Sequence, residues 1–304
     1  MRPANFFSGS PLDRAAHLRR DSEGLAQALT DPQSLLVPVF QGRSLVRFEG
    51  DLARAVVLPV AAAAVMPWDS NDLRQVPFLG LRAGVAHFAL DLSAHEEETV
   101  RRQLAELGDL TELRTVGAAL DREDAGLLAY ARGLLHWHAR HGYCGACGGE
   151  TESRAGGHVR QCLRCGTEHF PRTDPAVIML VTHGNSCLLG HQNAWPEGVY
   201  STLAGFVEPG ESLEEAVARE VREEAGVEVG TVEYHSSQPW PFPASIMLGF
   251  TARATTTEIR LHDEELADAR WFERSELADP AARPIRFPSP ASIARRLIED
   301  WLAG

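Results

Sequence analysis

The chain has 304 residues, of which 44% are hydrophobic, and this length suits two or three globular domains better than one. Its formal net charge of −13 argues against general nucleic-acid binding, which basic surfaces drive, but it permits a phosphate ligand that is bound through divalent cations. The longest apolar run, 55–66, contains Pro59 and is too short for a membrane span, which needs roughly eighteen apolar residues. The first residues lack the long apolar core of a secretion signal, so the expected location is the cytoplasm.

The first predicted domain, residues 1–140, mixes strands with helices. Apolar or alternating runs predict strands at 35–40, 55–60 and 86–92. Helical periodicity predicts helices at about 96–107 and 122–140, the second with Asp121 as its N-cap. This region contains no motif that indicates an active site.

The second predicted domain, residues 141–169, is short, glycine-rich and contains four of the five cysteines. They form two C-x-x-C pairs separated by fourteen residues: Cys144, Cys147, Cys162 and Cys165. Four thiolates fill a tetrahedral zinc site and leave no open position, which predicts one structural zinc ion per chain. In a cytoplasmic chain such pairs favour a metal over disulfides.

Two other interpretations of this segment stay open. Four unligated thiols are the plain alternative, and a nucleic-acid-binding zinc ribbon is the other, because four arginines make the segment locally basic: Arg154, Arg160, Arg164 and Arg172. Cys187 lies in an apolar run and is predicted to be an inert core residue. His136, His138 and His141 precede a site that the cysteines already fill, so packing or solvent exposure is expected for them.

The third predicted domain, residues 170–304, alternates strands and helices. Strands are predicted at 176–181, 187–189, 232–235, 245–252 and 269–272, and helices at 213–225 and 292–302. This mixed order favours an α/β sandwich over a doubly wound parallel sheet. A G-x-G-x-x-G turn after a strand, which a Rossmann dehydrogenase would need, is missing from the sequence.

The helix at 213–225 has clear signals at both ends. Ser212 and Glu215 have the spacing of a capping box, and Gly226 is placed to end the helix. At about 100° per residue, Leu213, Ala216 and Val217 share one face with Glu220, Glu223 and Glu224, whereas Ala225 is expected on the opposite side. Three glutamates therefore continue an apolar stripe.

Such a placement is unfavourable without a partner for the three carboxylates. At spacings of three and four residues they repel one another and raise one another's pKa values, and they lie near the helix C-terminus, where the dipole disfavours negative charge. Hard divalent cations such as Mg²⁺ or Mn²⁺ relieve this repulsion. The pattern favours a metal site over an ordinary solvated helix end.

The segment around this helix resembles the Nudix box. Every fixed position of that motif is present: Gly205, Glu211, Arg219, Glu220, Val221, Glu223, Glu224, Gly226 and Val227. The resemblance implies hydrolysis of a nucleoside diphosphate linked to another group. It implies that Glu220, Glu223 and Glu224 are the catalytic glutamates. Glu220, Glu224 and a backbone carbonyl near Ala204 would be metal ligands, and Gly205, Gly226 and an ion pair between Glu211 and Arg219 would support the loop and helix.

A proline-rich segment follows the Nudix box. Three alternating prolines stiffen it and hold Trp240 and Phe242 at fixed angles, which suits stacking on a base or a nicotinamide ring. Taken alone, such a segment is more often a packed loop. Its sequence, however, resembles the SQPWPFPxS signature of NADH pyrophosphatases, which implies a substrate-binding role for eight residues: Gln238, Pro239, Trp240, Pro241, Phe242, Pro243, Ala244 and Ser245.

This resemblance covers essentially the whole chain, including the cysteine quartet before the Nudix box and the opening residues 6–14. It implies a Nudix α/β/α sandwich with a mixed sheet, preceded by a zinc ribbon and a mixed α/β amino-terminal domain. It also implies hydrolysis of NAD(H) to NMN(H) and AMP, removal of NAD caps from RNA 5′ ends, more than one Mg²⁺ or Mn²⁺ ion, a homodimer and no membrane partner.

Further site residues follow from the same resemblance. Phe206 would stack on one ring of the substrate, Phe170 would contact substrate across the dimer, and the backbone of Ala294 would make another contact. Glu265 matches a late metal ligand, with its neighbour Glu264 as the other candidate, and Arg114 aligns loosely with a contact from the first domain. Either Glu224 or Glu265 would serve as the base.

Three alternatives remain at this point. The chain could hydrolyse a broader set of dinucleosides or ADP-ribose, or it could be a Nudix module that senses nucleotides without turnover. It could also be an RNA-binding zinc-ribbon protein, for which affinity would fall steeply with salt.

Overall fold

The computed structural model describes residues 4–65, 76–261 and 265–304, so the end of the apolar run 55–66 lies outside the described residues. The chain divides into two compact units. The amino-terminal unit contains Phe7–Thr173 and Trp240–Ala244, and the carboxy-terminal unit contains a segment ending at Phe6, Asp174–Pro239 and Ser245–Gly304. The predicted three-domain division stays a prediction. Within the described ranges, no helix is long and apolar enough to cross a membrane.

The amino-terminal unit contains ten strands and four α-helices among its described residues. In chain order they are α1 (Ser22–Thr30), β1 (Leu35–Phe40), β2 (Arg43–Glu49), β3 (Leu52–Ala55), β4 (Leu58–Pro59), β5 (Phe78–Arg82), β6 (Val85–Asp91), α2 (Glu97–Leu104), β7 (Asp109–Glu112), α3 (Leu113–Val116), α4 (Arg122–Arg140), β8 (Thr151–Arg154), β9 (Val159–Cys162) and β10 (Glu168–His169).

A seven-stranded sheet organises the first part of this unit. Its main path is β3-β2-β1-β6-β5, with β4 added to β1 and β7 added to β2. Strand β1 runs parallel to β6, and both are almost fully buried, as their continuous apolar runs indicate. The core packed on this sheet includes Phe40, Phe78 and Phe88.

Helix α4 follows this sheet and leads to the cysteine-rich segment. Asp121 caps it by accepting a hydrogen bond from the Asp124 backbone N–H, as the sequence predicted. The cysteine-rich segment then forms a separate antiparallel sheet in the order β10-β9-β8.

The carboxy-terminal unit contains a six-stranded sheet and three α-helices among its described residues. They are β11 (Asp174–His183), β12 (Ser186–His191), β13 (Leu203–Phe206), α5 (Leu213–Ala225), β14 (Val229–Trp240), β15 (Ser245–Ala254), β16 (Asp268–Glu273), α6 (Arg274–Ala278) and α7 (Ile293–Ala303). The sheet order is β14-β15-β11-β12-β16, and β13 is added to β11. Because β11 is parallel to β15 and antiparallel to β12 and β13, the sheet is mixed, as predicted.

Strand β11 explains the layered arrangement of this unit. Its side chains alternate between two faces of the sheet. Val177 and Met179 join the core that contains Val217 of α5, whereas Ile178 and Leu180 join the core that contains Leu297 of α7. Helices therefore cover both faces, which confirms the α/β/α sandwich.

One predicted strand of the amino-terminal unit was wrong. The run 55–60 does not form a single strand, because β3 ends at Ala55 and only Leu58 and Pro59 pair again, with β1. Proline has no N–H to donate to a sheet ladder, so Pro59 restricts the pairing to a short stretch.

Candidate active site and zinc centre

Helix α5 begins at the predicted capping box. The Glu215 carboxylate accepts a hydrogen bond from the Ser212 backbone N–H at 2.7 Å, and the Ser212 hydroxyl accepts one from the Glu215 N–H at 3.3 Å. The helix ends at Gly226, whose φ of 68° is left-handed and suits glycine. These two ends fix the position of the glutamates along the helix.

The glutamates of α5 lie in three different environments. Glu224 is only 3% exposed and lies among the buried residues of the helix, and Glu220 is half-buried. The Glu223 side chain is 53% exposed, and Ala225 is fully buried. The prediction that Glu223 lies on the apolar face and Ala225 on the opposite side was therefore wrong. The buried sector runs from Ala216 to Ala225 and is centred near Val217. Ala225 therefore forms one edge of this sector, and Glu223 falls just outside the other edge.

Arg219 connects the loop before α5 to the helix. Its guanidinium donates to both Glu211 carboxylate oxygens, at 2.6 and 3.0 Å, and to the Phe206 carbonyl at 2.8 Å. The ion pair expected between Glu211 and Arg219 is thus present. The Arg219 guanidinium, together with the Glu208 backbone N–H, lowers the pKa of Glu211 to about 2, so this carboxylate stays ionised.

Arg219 also contacts two of the candidate catalytic carboxylates. It donates to Glu220 at 2.8 Å and to Glu223 at 3.0 Å. Burial raises the pKa of Glu220, the Arg219 guanidinium opposes that rise, and the negative charges of Glu223 and Glu265 add to it. Glu265 therefore lies close enough to Glu220 for their charges to interact, while Glu264 lies outside the described residues.

Gly205 leaves space for the Glu220 carboxylate. A Cβ atom at Gly205 would lie 1.9 Å from the Glu220 Cδ and 2.0 and 2.2 Å from its two oxygens. Strand β13 places Gly205 opposite Val177 of β11, so the backbone at this point is fixed by the sheet. Only glycine allows the carboxylate to approach the strand so closely.

The carboxylates supply the type of donor atom that a hard divalent cation prefers, but their oxygen atoms are not clustered around one point in this structure. Glu220, Glu224 and Glu265 offer only oxygen donors, which Mg²⁺ and Mn²⁺ prefer. The negative charge of Glu265 opposes ionisation of Glu220, and Glu224 is buried on the same helix as Glu220. In the described part of the chain, only the four cysteines bring three or more ligand atoms within 4.8 Å of one another. A cation would draw the carboxylates together and compensate their charge.

The zinc centre has the dimensions of a tetrahedral thiolate site. The Sγ atoms of Cys144 and Cys165 are 3.8 Å apart, those of Cys147 and Cys162 are 3.5 Å apart, and those of Cys147 and Cys165 are 3.4 Å apart. A tetrahedron with zinc–sulfur bonds of about 2.3 Å has edges of about 3.8 Å. The quartet therefore fits zinc.

Neighbouring groups stabilise the thiolate form of two of these cysteines. The Thr167 hydroxyl and backbone lower the pKa of Cys165 to about 6. The backbone N–H groups of Cys165 and Arg164, each 3.4 Å from the Cys162 Sγ, lower the pKa of Cys162. Thiolate is the form that binds a metal.

Cys187 and the predicted packing histidines lie outside this quartet. Burial raises the pKa of Cys187 to about 12, in keeping with an inert core thiol. The His138 Nε2 lies 2.7 Å from the Gly157 carbonyl, and the His141 Nδ1 lies 2.8 Å from the Trp137 carbonyl. In this structure both imidazoles hydrogen-bond to backbone oxygen.

The proline-rich segment divides between the two units. In the carboxy-terminal unit, Gln238 is fully buried. Its amide donates to the Ala291 carbonyl at 2.7 Å and accepts from the Ile293 N–H at 2.7 Å. Gln238 thereby holds the start of α7, the helix that contains Ala294. Ser245 is buried at the start of β15, and Pro239 is partly buried.

Trp240 and Phe242 pack inside the amino-terminal unit. Their ring centroids lie 5.0 Å apart, and both contact the buried Phe7, at 5.9 and 5.5 Å. The Arg114 guanidinium lies 5.6 Å from the Trp240 ring, and that of Arg132 lies 5.3 Å from the Phe242 ring. The rings thus form a packed cluster with two cations against it. Of the segment's other residues, Pro241 is buried, Ala244 is partly buried and Pro243 is exposed.

The remaining candidate residues differ in exposure. The Phe206 side chain at the end of β13 is 61% exposed and Phe170 is 47% exposed, so both rings are available for stacking. Ala294 is buried in the first turn of α7, and Ala204 is partly buried in β13.

Comparison with known proteins agrees with these features. Residues 172–292 match the family model of the NUDIX domain, 33–137 match the NADH pyrophosphatase-like rudimentary NUDIX domain, and 139–170 match the NADH pyrophosphatase zinc ribbon domain. The NAD-capped RNA hydrolase NUDT12 of Homo sapiens is 34% identical over 98% of this chain and 73% of its own length. The chain belongs to the Nudix hydrolase family.

Two further Nudix relatives are similar over part of the chain. The NAD-capped RNA hydrolase NudC of Stutzerimonas stutzeri is 47% identical over 63% of this chain and 67% of its own length. The mitochondrial NAD(P)H pyrophosphatase NUDT13 of Homo sapiens is 37% identical over 71% of this chain and 68% of its own length. With the zinc ribbon model and the cysteine quartet, these matches support a structural zinc site and, from the Nudix domain, a divalent metal.

Sequence reasoning missed one residue at the zinc centre of this Nudix protein. The His169 Nε2 lies 3.3 Å from the Cys144 Sγ. A signal was available, because His169 follows Cys165, the last cysteine of the quartet, by only four residues.

Proposed function

We propose that the chain hydrolyses the pyrophosphate bond of NAD(H) to give NMN(H) and AMP, and that it removes NAD caps from RNA 5′ ends by the same reaction. The observation that carries this proposal is the pair of glutamates on α5, the buried Glu224 and the half-buried Glu220, beside a loop held by the Arg219–Glu211 ion pair. The names of the relatives support NAD(H) and NAD-capped RNA as the substrates.

Glu220, Glu224, Glu265 and the backbone carbonyl of Ala204 would hold the catalytic cations, with Glu223 beside them. The expected ions are Mg²⁺ or Mn²⁺, more than one per site, because several anionic oxygens must be compensated. When bound, these cations neutralise the diphosphate and lower the pKa of a bound water. The chain's own contribution is to fix the loop, which Arg219 does through Glu211 and the Phe206 carbonyl, and to place a guanidinium beside Glu220 that opposes the rise in its pKa.

A glutamate that accepts the proton of the attacking water completes the proposed reaction. Glu224 and Glu265 are both candidates for this base. Glu224 is the more sheltered from solvent, at 3% exposure, so its carboxylate is held in one place by packing. Glutamine at either position keeps the shape of the side chain and removes its negative charge. Comparing the two variants shows which carboxylate turnover depends on more strongly.

Substrate recognition would use aromatic rings and backbone groups. The exposed Phe206 and Phe170 are the candidates for stacking, with Phe170 acting across a homodimer. For the segment 238–245 we propose two different contributions. Gln238 positions the start of α7 and hence Ala294. Trp240 and Phe242 give a rigid aromatic cluster, and Arg114 supplies a cation beside it.

A substrate panel tests this proposal against its alternatives. The purified protein is incubated with NADH, NAD⁺, ADP-ribose or an NAD-capped RNA oligonucleotide, each with Mg²⁺, with Mn²⁺ or with chelator. Metal-dependent turnover of NAD(H) and capped RNA well above that of ADP-ribose supports the proposal. Equal turnover of all four would favour a broad dinucleoside pyrophosphatase, and saturable binding without turnover would favour a nucleotide-sensing module.

The homodimer and the cytoplasmic location remain proposals. Size-exclusion chromatography with light scattering measures the first, and a mass of one chain, 33.2 kDa, would contradict it. If Phe170 acts across the dimer, dilution into the monomeric range should lower the turnover of NADH per chain.

A further inference from the structure

We propose that His169 is a working part of the zinc centre, in which its imidazole N–H donates a hydrogen bond to the Cys144 thiolate and thereby strengthens zinc binding. The contact is short, 3.3 Å from the His169 Nε2 to the Cys144 Sγ, and it joins residues twenty-five positions apart in the sequence. His169 ends the short strand β10, which pairs with β9 through Arg160. The sheet therefore directs the imidazole at the quartet.

The imidazole acts from outside the coordination shell. Four thiolates already complete a tetrahedron, and their sulfur atoms lie within 4.8 Å of one another. A nitrogen ligand would have no position to occupy. The hydrogen bond to the sulfur requires the tautomer that carries its proton on Nε2. In this tautomer Nε2 has no free lone pair to bind the metal.

Charge explains why such a donor matters at this cysteine. Four thiolates bound to one Zn²⁺ leave a net charge of −2, which must be offset by donors near the sulfur atoms. Cys162 has two backbone N–H groups at 3.4 Å, and Cys165 has the Thr167 hydroxyl at 3.1 Å. Cys144 and Cys162 are both only 3% exposed, whereas Cys165 is exposed. Water therefore has little access to the Cys144 sulfur, and His169 supplies the side-chain donor.

A second imidazole nearby provides a matched control. The His141 ring centroid lies 6.4 Å from that of His169, and the His141 Nδ1 lies 2.8 Å from the Trp137 carbonyl. His141 is thus an imidazole at the same end of the ribbon that is engaged with backbone oxygen. Replacing it by phenylalanine makes the same chemical change without removing the contact to sulfur.

The experiment measures zinc affinity and thiolate character in the full chain. Zinc-loaded wild type, His169→Phe, His169→Ala and His141→Phe are titrated with a chromogenic chelator, and cobalt-substituted samples are examined by absorption spectroscopy. Loss of a hydrogen bond to a metal ligand typically weakens metal binding 10- to 100-fold. We expect that loss for both His169 variants and near wild-type affinity for His141→Phe.

The cobalt spectrum separates hydrogen bonding from packing. Removing a donor raises the energy of the thiolate lone pairs, so the sulfur-to-cobalt charge-transfer bands of both His169 variants should move to lower energy while those of His141→Phe stay in place. The two His169 substitutions differ in size, so a folding defect in one leaves the other to be measured. Zinc affinity within twofold of wild type, with unmoved charge-transfer bands in a folded His169 variant, would overturn the proposal.

Discussion

A single methyl group at Gly205 should disable the site without unfolding the protein. The Cβ of an alanine there would lie 1.9 Å from the Glu220 Cδ, whereas ordinary contacts begin near 3.4 Å, so the carboxyl group must retreat by about 1.5 Å. The group that moves is the flexible end of a side chain. Gly205 does not have a left-handed φ, so alanine fits its backbone.

The two consequences differ in size. Misplacing a reacting group by about 1 Å can cost on the order of 100-fold in rate, which corresponds to about 2.7 kcal/mol of activation free energy. The free energy of unfolding should change by less than about 1 kcal/mol, because alanine in a strand also removes some of the conformational freedom of the unfolded chain. The expected result is a large loss of activity with a nearly unchanged Tm.

Kinetics with NADH and calorimetry measure both quantities on Gly205→Ala. Gly230→Ala in β14 is the matched control, because its Cβ would meet only the Thr255 methyl, at 3.2 Å. If the methyl acts through Glu220, adding Gly205→Ala to Glu220→Ala should cost no further activity. A folded Gly205→Ala variant with wild-type kcat/KM would refute the idea that the site depends on the position of Glu220.

Three further predictions concern the loop, the ribbon and acid stability. Arg219→Lys should lower kcat/KM by at least about tenfold, because an ammonium cannot make the two parallel bonds to Glu211; equal kinetics in both proteins would contradict this. Cys162→Ser should lose zinc on exposure to chelator and should lower the Tm of the ribbon-containing unit, and metal analysis showing one retained zinc per chain would count against the quartet. Burial lowers the pKa of His138 from 6.5 to about 4, so the unfolded chain takes up a proton that the folded chain excludes. The stability that His138 contributes is therefore complete above pH 6.5 and falls as the pH drops towards 4, by about 2 kcal/mol at pH 5. Calorimetry at pH 7 and pH 5 should show this loss relative to His138→Gln, and parallel pH dependence of the two proteins would exclude it.

The helices at 122–140 and 213–225 could be predicted to the residue because their signals are local. Asp121 and Ser212 supply N-caps, and Gly226 ends the second helix in a conformation that glycine favours. The spacing on one helix likewise placed Glu220 and Glu224 one turn apart, and their role as metal ligands stays a prediction. The exact helix face was harder to predict, because the packing of α5 against β11 and β13 decides how the helix is rotated.

Features that depend on distant parts of the chain could not be predicted in the same way. The sequence allowed two interpretations of Trp240 and Phe242, stacking on substrate or packing within a loop. In the structure both rings contact Phe7, which lies more than 200 positions away in the sequence. Gln238 is held by backbone groups of 291 and 293, a contact that no local pattern indicates. The imidazole of His169 reaches Cys144 only because β10 pairs with β9.

The most direct test of the account is mass spectrometry of the products of NADH incubated with Mg²⁺ or Mn²⁺, for the wild type and for Glu224→Gln. Glutamine keeps the shape of this buried residue and removes its charge, so the fold should persist while turnover falls at least about 100-fold. NMNH and AMP from the wild type, with little of either from the variant, is the predicted result. Intact NADH with the wild type, or equal product from both proteins, would contradict the account.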